Sequence, residues 1–184
     1  MIIKPIQSFI LIHKIKKHHI HKNIILNHID NLPKKEMTGI SNTDWDKCTD
    51  KNRDYVNYFV RKVLIDYNKN FNDFMFQKEI KVQSVWFQQY YNGDYHNWHV
   101  HDETQFTNIY FLELPENKLK TEIFDNFSKK IINLDVEEGD ILTLPSYIIH
   151  RSKINTTNKR KTIISFNTVF GEIDLKKIER TLTN

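Results

Sequence analysis

Glu138-Gly139-Asp140-Ile141-Leu142-Thr143-Leu144-Pro145-Ser146-Tyr147-Ile148-Ile149-His150-Arg151 reads as turn, strand, turn, strand. The glycine opens an apolar run that Pro145-Ser146 closes, and a second β-branched run ends on His150. The same rhythm begins after Phe76, where short β-branched or aromatic segments alternate with turn residues. Candidate strands are Lys81–Tyr91, Trp98–His101, Thr107–Leu114, Thr121–Phe124, Ile131–Val136, Asp140–Leu144, Ile148–Lys153 and Lys161–Phe170. Turns at Asn92-Gly93, Pro115-Glu116, Glu138-Gly139 and Asn155-Thr156 punctuate them. So many strands in so short a stretch predict a jelly roll or a barrel closed on itself.

Histidines sit at telling places in this pattern. Trp98-His99-Val100-His101 is the second strand and His150 lies on the seventh. Alternate side chains of an extended strand share a face, so His99 and His101 point the same way. His150 from a neighbouring strand completes a three-point grip on a metal ion. Neutral imidazole is the commonest protein ligand for a first-row metal, and three ligands on one face leave positions for other molecules. If the strand runs on, His101 and Glu103 share a face as well, so Glu103 could stand in for His99 beside His101 and His150.

The preceding half has a different character. Residues 3–12 alternate loosely and suit a short strand packing on the main sheet. Lys14 to Asn31 carries a rough helical stripe that Pro33 ends, and its histidines His18, His19 and His21 do not share one face. Residues 31–52 are polar and read as a loop anchored by Trp45; with residues 92–98, including His96 and Trp98, they are candidates for covering the mouth of the roll. From about Asp54 to Asn70, Val56, Phe59, Val60, Val63, Leu64 and Tyr67 follow a helical period, a face for bracing a sheet from outside. The expected organisation is one domain over 1–184, with helical support over 1–76, the β core over 77–170 and a short helix or tail over 171–184.

Composition narrows the function classes. The 184 residues carry a formal charge of +4, but residues 1–40 hold seven lysines against Asp30 and Glu36, and the rest of the chain is close to neutral. That distribution reads as a solvated basic helix and argues against nucleic acid as partner. Cys48 is the only cysteine, which excludes an intrachain disulfide and a cysteine-based zinc site and fits a reducing cytoplasm. The early apolar run Phe9-Ile10-Leu11-Ile12 is far too short for a secretion signal or a membrane span. No nucleophile-elbow motif is present.

Four stretches together resemble a known family: Tyr91-Asn92-Gly93-Asp94-Tyr95-His96-Asn97-Trp98-His99-Val100-His101, Thr107 to Pro115, Glu138 to Ser146, and Ser165-Phe166-Asn167. In order and spacing they are similar to the iron(II)- and 2-oxoglutarate-dependent oxygenases of marine microbes and their phages. The resemblance covers about residues 85–170. It implies a double-stranded β-helix, a cupin-like jelly roll flanked by N-terminal helices, with Fe(II) as cofactor and 2-oxoglutarate and O2 as cosubstrates. The implied activity is that of a dioxygenase hydroxylating a small molecule or a protein side chain, with 2-oxoglutarate decarboxylated to succinate. The wider superfamily binds iron through His-x-Asp or His-x-Glu and a distal histidine; this sequence departs from it, and its His-x-His implies His99, His101 and His150 as ligands.

2-Oxoglutarate chelates through its keto-acid end, so its far carboxylate needs a fixed cation. Asn158-Lys159-Arg160-Lys161-Thr162 opens the last strand, where the superfamily has its Arg or Lys. Arg160 with Thr162 matches the family's Arg-x-Ser pattern and is the preferred anchor, with Tyr110 as a phenolic donor; counting back from Asn167 selects Lys161 instead. The alternative class is a cupin-like metal- or sugar-binding module without oxygen chemistry, in which Arg160 and Lys161 would be dispensable.

Overall fold

In the computed structural model, which describes residues 8–183, the alternating segments after Phe76 form strands, and two more strands join them from the N-terminal part. The chain runs β1 (Leu11–Lys14), α1 (His18–Asp30), β2 (Asn42–Thr43), a 3-10 turn (Trp45–Lys47), α2 (Asp54–Tyr58), a π turn (Phe59–Val63) and α3 (Leu64–Phe74). It continues through β3 (Ile80–Tyr90), β4 (His96–His99), β5 (Phe106–Glu113), β6 (Thr121–Asp125), β7 (Lys130–Ile132), β8 (Asp140–Pro145), β9 (His150–Ser152), β10 (Lys161–Phe170) and α4 (Leu175–Leu182). The strands make two antiparallel sheets, one of six in the order β1-β8-β5-β10-β3-β2 and one of four in the order β4-β9-β6-β7. No helix among the described residues is long and apolar enough to cross a membrane.

Several boundaries differ from the sequence expectation. Residues 3–7 of the expected first strand lie outside the described residues; the strand itself is Leu11–Lys14, paired with β8. The expected helix from Lys14 starts only at His18, because Lys14 is still in register with Asp140 and Lys17 takes a left-handed backbone, φ 55°. The loop over 31–52 contains β2, which pairs with β3, so the N-terminal part is not purely helical support. The strand expected over Ile131–Val136 stops at Ile132, all three of its residues exposed at the edge of the smaller sheet.

Two cores follow from the alternation of the central strands. On β10, Ile164 and Phe166 face the helices and pack with Phe59, Tyr67 and Phe71, whereas Ile163 faces the other sheet with Ile109, Phe111, Leu142 and Leu144. Since β10 lies mid-sheet with both faces covered, nearly its whole length is buried, and its polar residues are buried with it. The helical segment over 54–74 carries buried residues at 59, 63, 67 and 71. Steps of four drift around a regular α-helix of 3.6 residues per turn, and the wider π turn at Phe59–Val63 absorbs that drift and keeps the stripe on the sheet.

Candidate metal centre

The site lies between the two sheets, and strand parity decides which side chains reach it. β10 and β3 pair Lys161 with Tyr90, Ile163 with Gln88 and Ser165 with Trp86, and all but the buried Lys161 line the space beside the histidines. The intervening pairs, Thr162 with Gln89 and Ile164 with Phe87, belong to the opposite face. On β5 the same rule turns Thr107 and Ile109 toward the site and Tyr110 toward the helices. From the smaller sheet come His96 and His99 on β4, Thr121 on β6, and His150 and Ser152 on β9.

His99, His101 and His150 come together: one ring nitrogen of each lies within 4.8 Å of the others. The ring centroids are 4.3 Å apart for His99 and His150, 5.2 Å for His101 and His150, and 5.3 Å for His99 and His101. His99 and His150 are direct cross-strand partners. His101 is not on that strand as expected; β4 ends at His99, and the next turn is held by the His101 N–H donating to the Ser146 carbonyl at 3.0 Å. Glu103 is exposed at a left-handed backbone position, φ 54°, so the strand does not run on to give it the face of His101. Among the described residues it belongs to no group that could close on an ion, and the three histidines form the one group that could.

Each imidazole is oriented by an oxygen behind it. Nδ1 of His99 donates to the Asn97 carbonyl at 2.7 Å, that of His101 to Asn167 Oδ1 at 2.9 Å, and that of His150 to the Ile148 carbonyl at 2.9 Å. With the proton on Nδ1, the Nε2 lone pairs of His99 and His150 are left for a ligand, and that of His101 has the Thr107 hydroxyl 3.4 Å away. Burial lowers the pKa of all three rings, His150 most, to about 3. Three neutral nitrogen donors on one side of a cavity are a donor set that iron(II) accepts, with the other side of the ion open.

His96 was expected only as a mouth residue. A β-bulge adds one residue between His96 and His99 relative to β9, so both face inward despite their odd spacing, and their rings stack at 4.0 Å. Trp98, inside the bulge, turns to the outer face of the smaller sheet, where Arg151 lies over its ring at 4.3 Å.

Lys161 is buried behind the space that the histidines line, 1% exposed, against Ser152 and Tyr90 of its lining. Its Nζ donates to Ser152 Oγ at 2.8 Å and lies 5.0 Å from the Tyr90 ring centroid. No carboxylate among the described residues pairs with it, and burial lowers its pKa to about 7. The Tyr90 phenol beside it is buried and its oxygen has no hydrogen-bond partner. Arg160, Thr162 and Tyr110, expected near the histidines, face away from them. Arg160 pairs with Glu113 and Asp30, each at 2.7 Å, Thr162 Oγ1 donates to Glu113, and the Tyr110 phenol donates to His18 Nδ1 at 2.7 Å. The signal for the buried cation was parity with Asn167, because positions 161, 163, 165 and 167 share the face that meets His101.

Outside the histidines a cleft of about 310 Å³ opens, lined by Met37, Trp45, Trp86, Val100, Asp102 and Asn167 together with His96, His99 and His101. Met37 and Trp45 come from the segment expected to cover the mouth.

No protein-family model and no curated protein matches the chain. Solved structures are similar to it. HygX from Streptomyces hygroscopicus, solved with nickel and 2-oxoglutarate bound, superposes with a TM-score of 0.65 over 88% of this chain and 83% of its own, at 10% identity. A prolyl hydroxylase from Trichoplax adhaerens, in complex with a hypoxia inducible factor oxygen degradation domain peptide fragment, gives 0.63 over 95% and 87% at 14% identity. An oxidoreductase of the 2OG-Fe(II) oxygenase family from Burkholderia pseudomallei gives 0.53 over 65% of this chain at 9% identity, and the chain spans 59% of that protein's length. At these identities the likeness is one of fold.

Proposed function

We propose that the chain is an iron(II)- and 2-oxoglutarate-dependent dioxygenase on a double-stranded β-helix, with His99, His101 and His150 as metal ligands and Lys161 as the anchor for the far carboxylate of 2-oxoglutarate. The observation that carries this reading is the buried Lys161 ammonium, without a carboxylate partner among the described residues, bonded to Ser152 of the inter-sheet space that the three imidazoles line. A cation held out of water without a counter-charge is costly, and a bound carboxylate removes that cost. A metal- or sugar-binding module without oxygen chemistry would have no use for it.

Bound iron, with 2-oxoglutarate and O2, would supply oxidation of a substrate C–H bond to C–OH, one oxygen atom entering the product and the other the succinate formed with CO2. The residues of the chain supply the rest. Lys161, with Ser152 and the Tyr90 phenol as further donors, would hold the far carboxylate of the dicarboxylate. Asn167 and the carbonyls of Asn97 and Ile148 hold the imidazoles in one tautomer. Trp86, Ile109 and Ile163 keep water from the inner end of the site. The likeness to HygX and the prolyl hydroxylase supports the reading through the fold, and small molecules and protein side chains are both admissible substrates. The single cysteine supports a reducing cytoplasm as the setting.

The test is uncoupled turnover. Iron-loaded protein incubated in air with 2-oxoglutarate alone is expected to release succinate and consume O2, and His150→Ala is expected to do neither. Oxygen uptake and succinate formation that do not depend on the protein, or that persist in His150→Ala, would remove the reading.

A further inference from the structure

We infer that the cleft outside the histidines recognises an alkylated ammonium group, so that the substrate of the site proposed above, on whose assignment this last step rests, is an amine. Trp45, 44% exposed, stands at 81° to the buried Trp86 with ring centroids 4.6 Å apart, and the two indoles make a corner next to His101. Met37 and Val100 add apolar, polarisable wall. Asp102 supplies the only carboxylate of the lining, and no lysine or arginine lines the cleft.

The charge balance makes this specific. Asp102 is exposed and makes no ion pair among the described residues, while Lys35 pairs with Asp46 at 2.7 Å and Arg53 with Asp44. An anionic ligand such as a phosphate would meet the Asp102 carboxylate and, among the described residues, no lysine or arginine of the lining. A neutral apolar ligand would leave Asp102 unused. An ammonium carrying methyl or methylene groups satisfies both wall and carboxylate, because indole faces attract cations through their quadrupole and alkyl groups spread the charge over a poorly hydrated surface.

The experiment titrates choline and its uncharged carbon isostere 3,3-dimethylbutan-1-ol into the full chain, followed by tryptophan fluorescence, with the protein loaded with nickel(II) and 2-oxoglutarate and again metal-free. Saturable quenching by choline is expected, with the isostere weaker by about tenfold or more. Asp102→Asn and Trp45→Ala should each weaken choline by at least about fivefold, and Trp45→Phe should recover part of the loss. Equal binding of choline and the isostere, no binding of choline, or an Asp102→Asn variant that binds choline as before would overturn the inference. Calorimetry of nickel and 2-oxoglutarate on the same samples separates the two readings. Their binding without choline removes the ammonium site alone; choline binding without theirs supports the ammonium site and removes the oxygenase.

Discussion

Lys161 and Arg160 are neighbours in sequence with opposite surroundings, and the difference is testable. Arg160 is partly exposed between Glu113 and Asp30, and those pairs raise its pKa despite burial. Arg160→Met is expected to cost about 1 kcal/mol of stability and to leave 2-oxoglutarate affinity within about twofold. Lys161→Met should weaken 2-oxoglutarate by about 100-fold, as loss of a charge-assisted anchor does. Lys161 also carries a pH signature. Its pKa in the fold is about 7 against 10.5 in an unfolded chain, so the unfolded state binds more protons between those values. Stability without cosubstrate should therefore rise from pH 7 to 10.5, and the cost of burying the charge is complete below 7. At pH 7, Lys161→Met removes a cost on the order of 4 kcal/mol and should raise Tm by roughly 8–16 °C, read by calorimetry. The bound carboxylate favours the charged amine, so 2-oxoglutarate affinity should fall by up to about tenfold per unit as pH rises above 7.

The elements divide into those that brace and those that hold chemistry. Phe59, fully buried in the π turn, stacks on Tyr110 and meets Phe166 edge to face at the helix side of the larger sheet. Phe59→Ala is expected to cost about 3–5 kcal/mol and lower Tm by roughly 6–15 °C, while metal affinity of the folded protein stays the same. Asn167→Ala works the other way: the fold persists, and metal affinity drops about 10- to 100-fold because His101 loses the acceptor that orients it. At this scale much was legible. Turn residues and β-branched runs located the eight strands β3 to β10, and the helical stripe from Val56 to Tyr67 was real. What the sequence withheld was local geometry. The bulge that turns His96 inward, the end of β4 before His101 and the left-handed Lys17 each depend on pairing with a distant segment, and single-residue preferences carry no record of it. Which of Arg160 and Lys161 shares a face with Asn167 was written in the alternation of β10, yet it needed the His101–Asn167 contact to say which parity faced the histidines.

The whole molecule places two sheets face to face, and a metal would tie parts of it together. His99 and His150 belong to paired strands of the smaller sheet, whereas His101 hangs on the Asn167 side chain of the larger one. An ion bound by all three should stabilise the fold by mass action, about 2.7 kcal/mol at a hundredfold excess over Kd, with a matching rise in Tm that chelation reverses and His150→Ala lacks. The fold, the three imidazoles and the buried amine meet in one measurement: anaerobic addition of 2-oxoglutarate to the iron(II)-loaded chain, watching the visible spectrum. A weak charge-transfer band that saturates in the wild type and in Arg160→Met, and that needs far more 2-oxoglutarate in Lys161→Met, is the predicted result. No band in the wild type, or the same titration curve in Lys161→Met, would contradict the account.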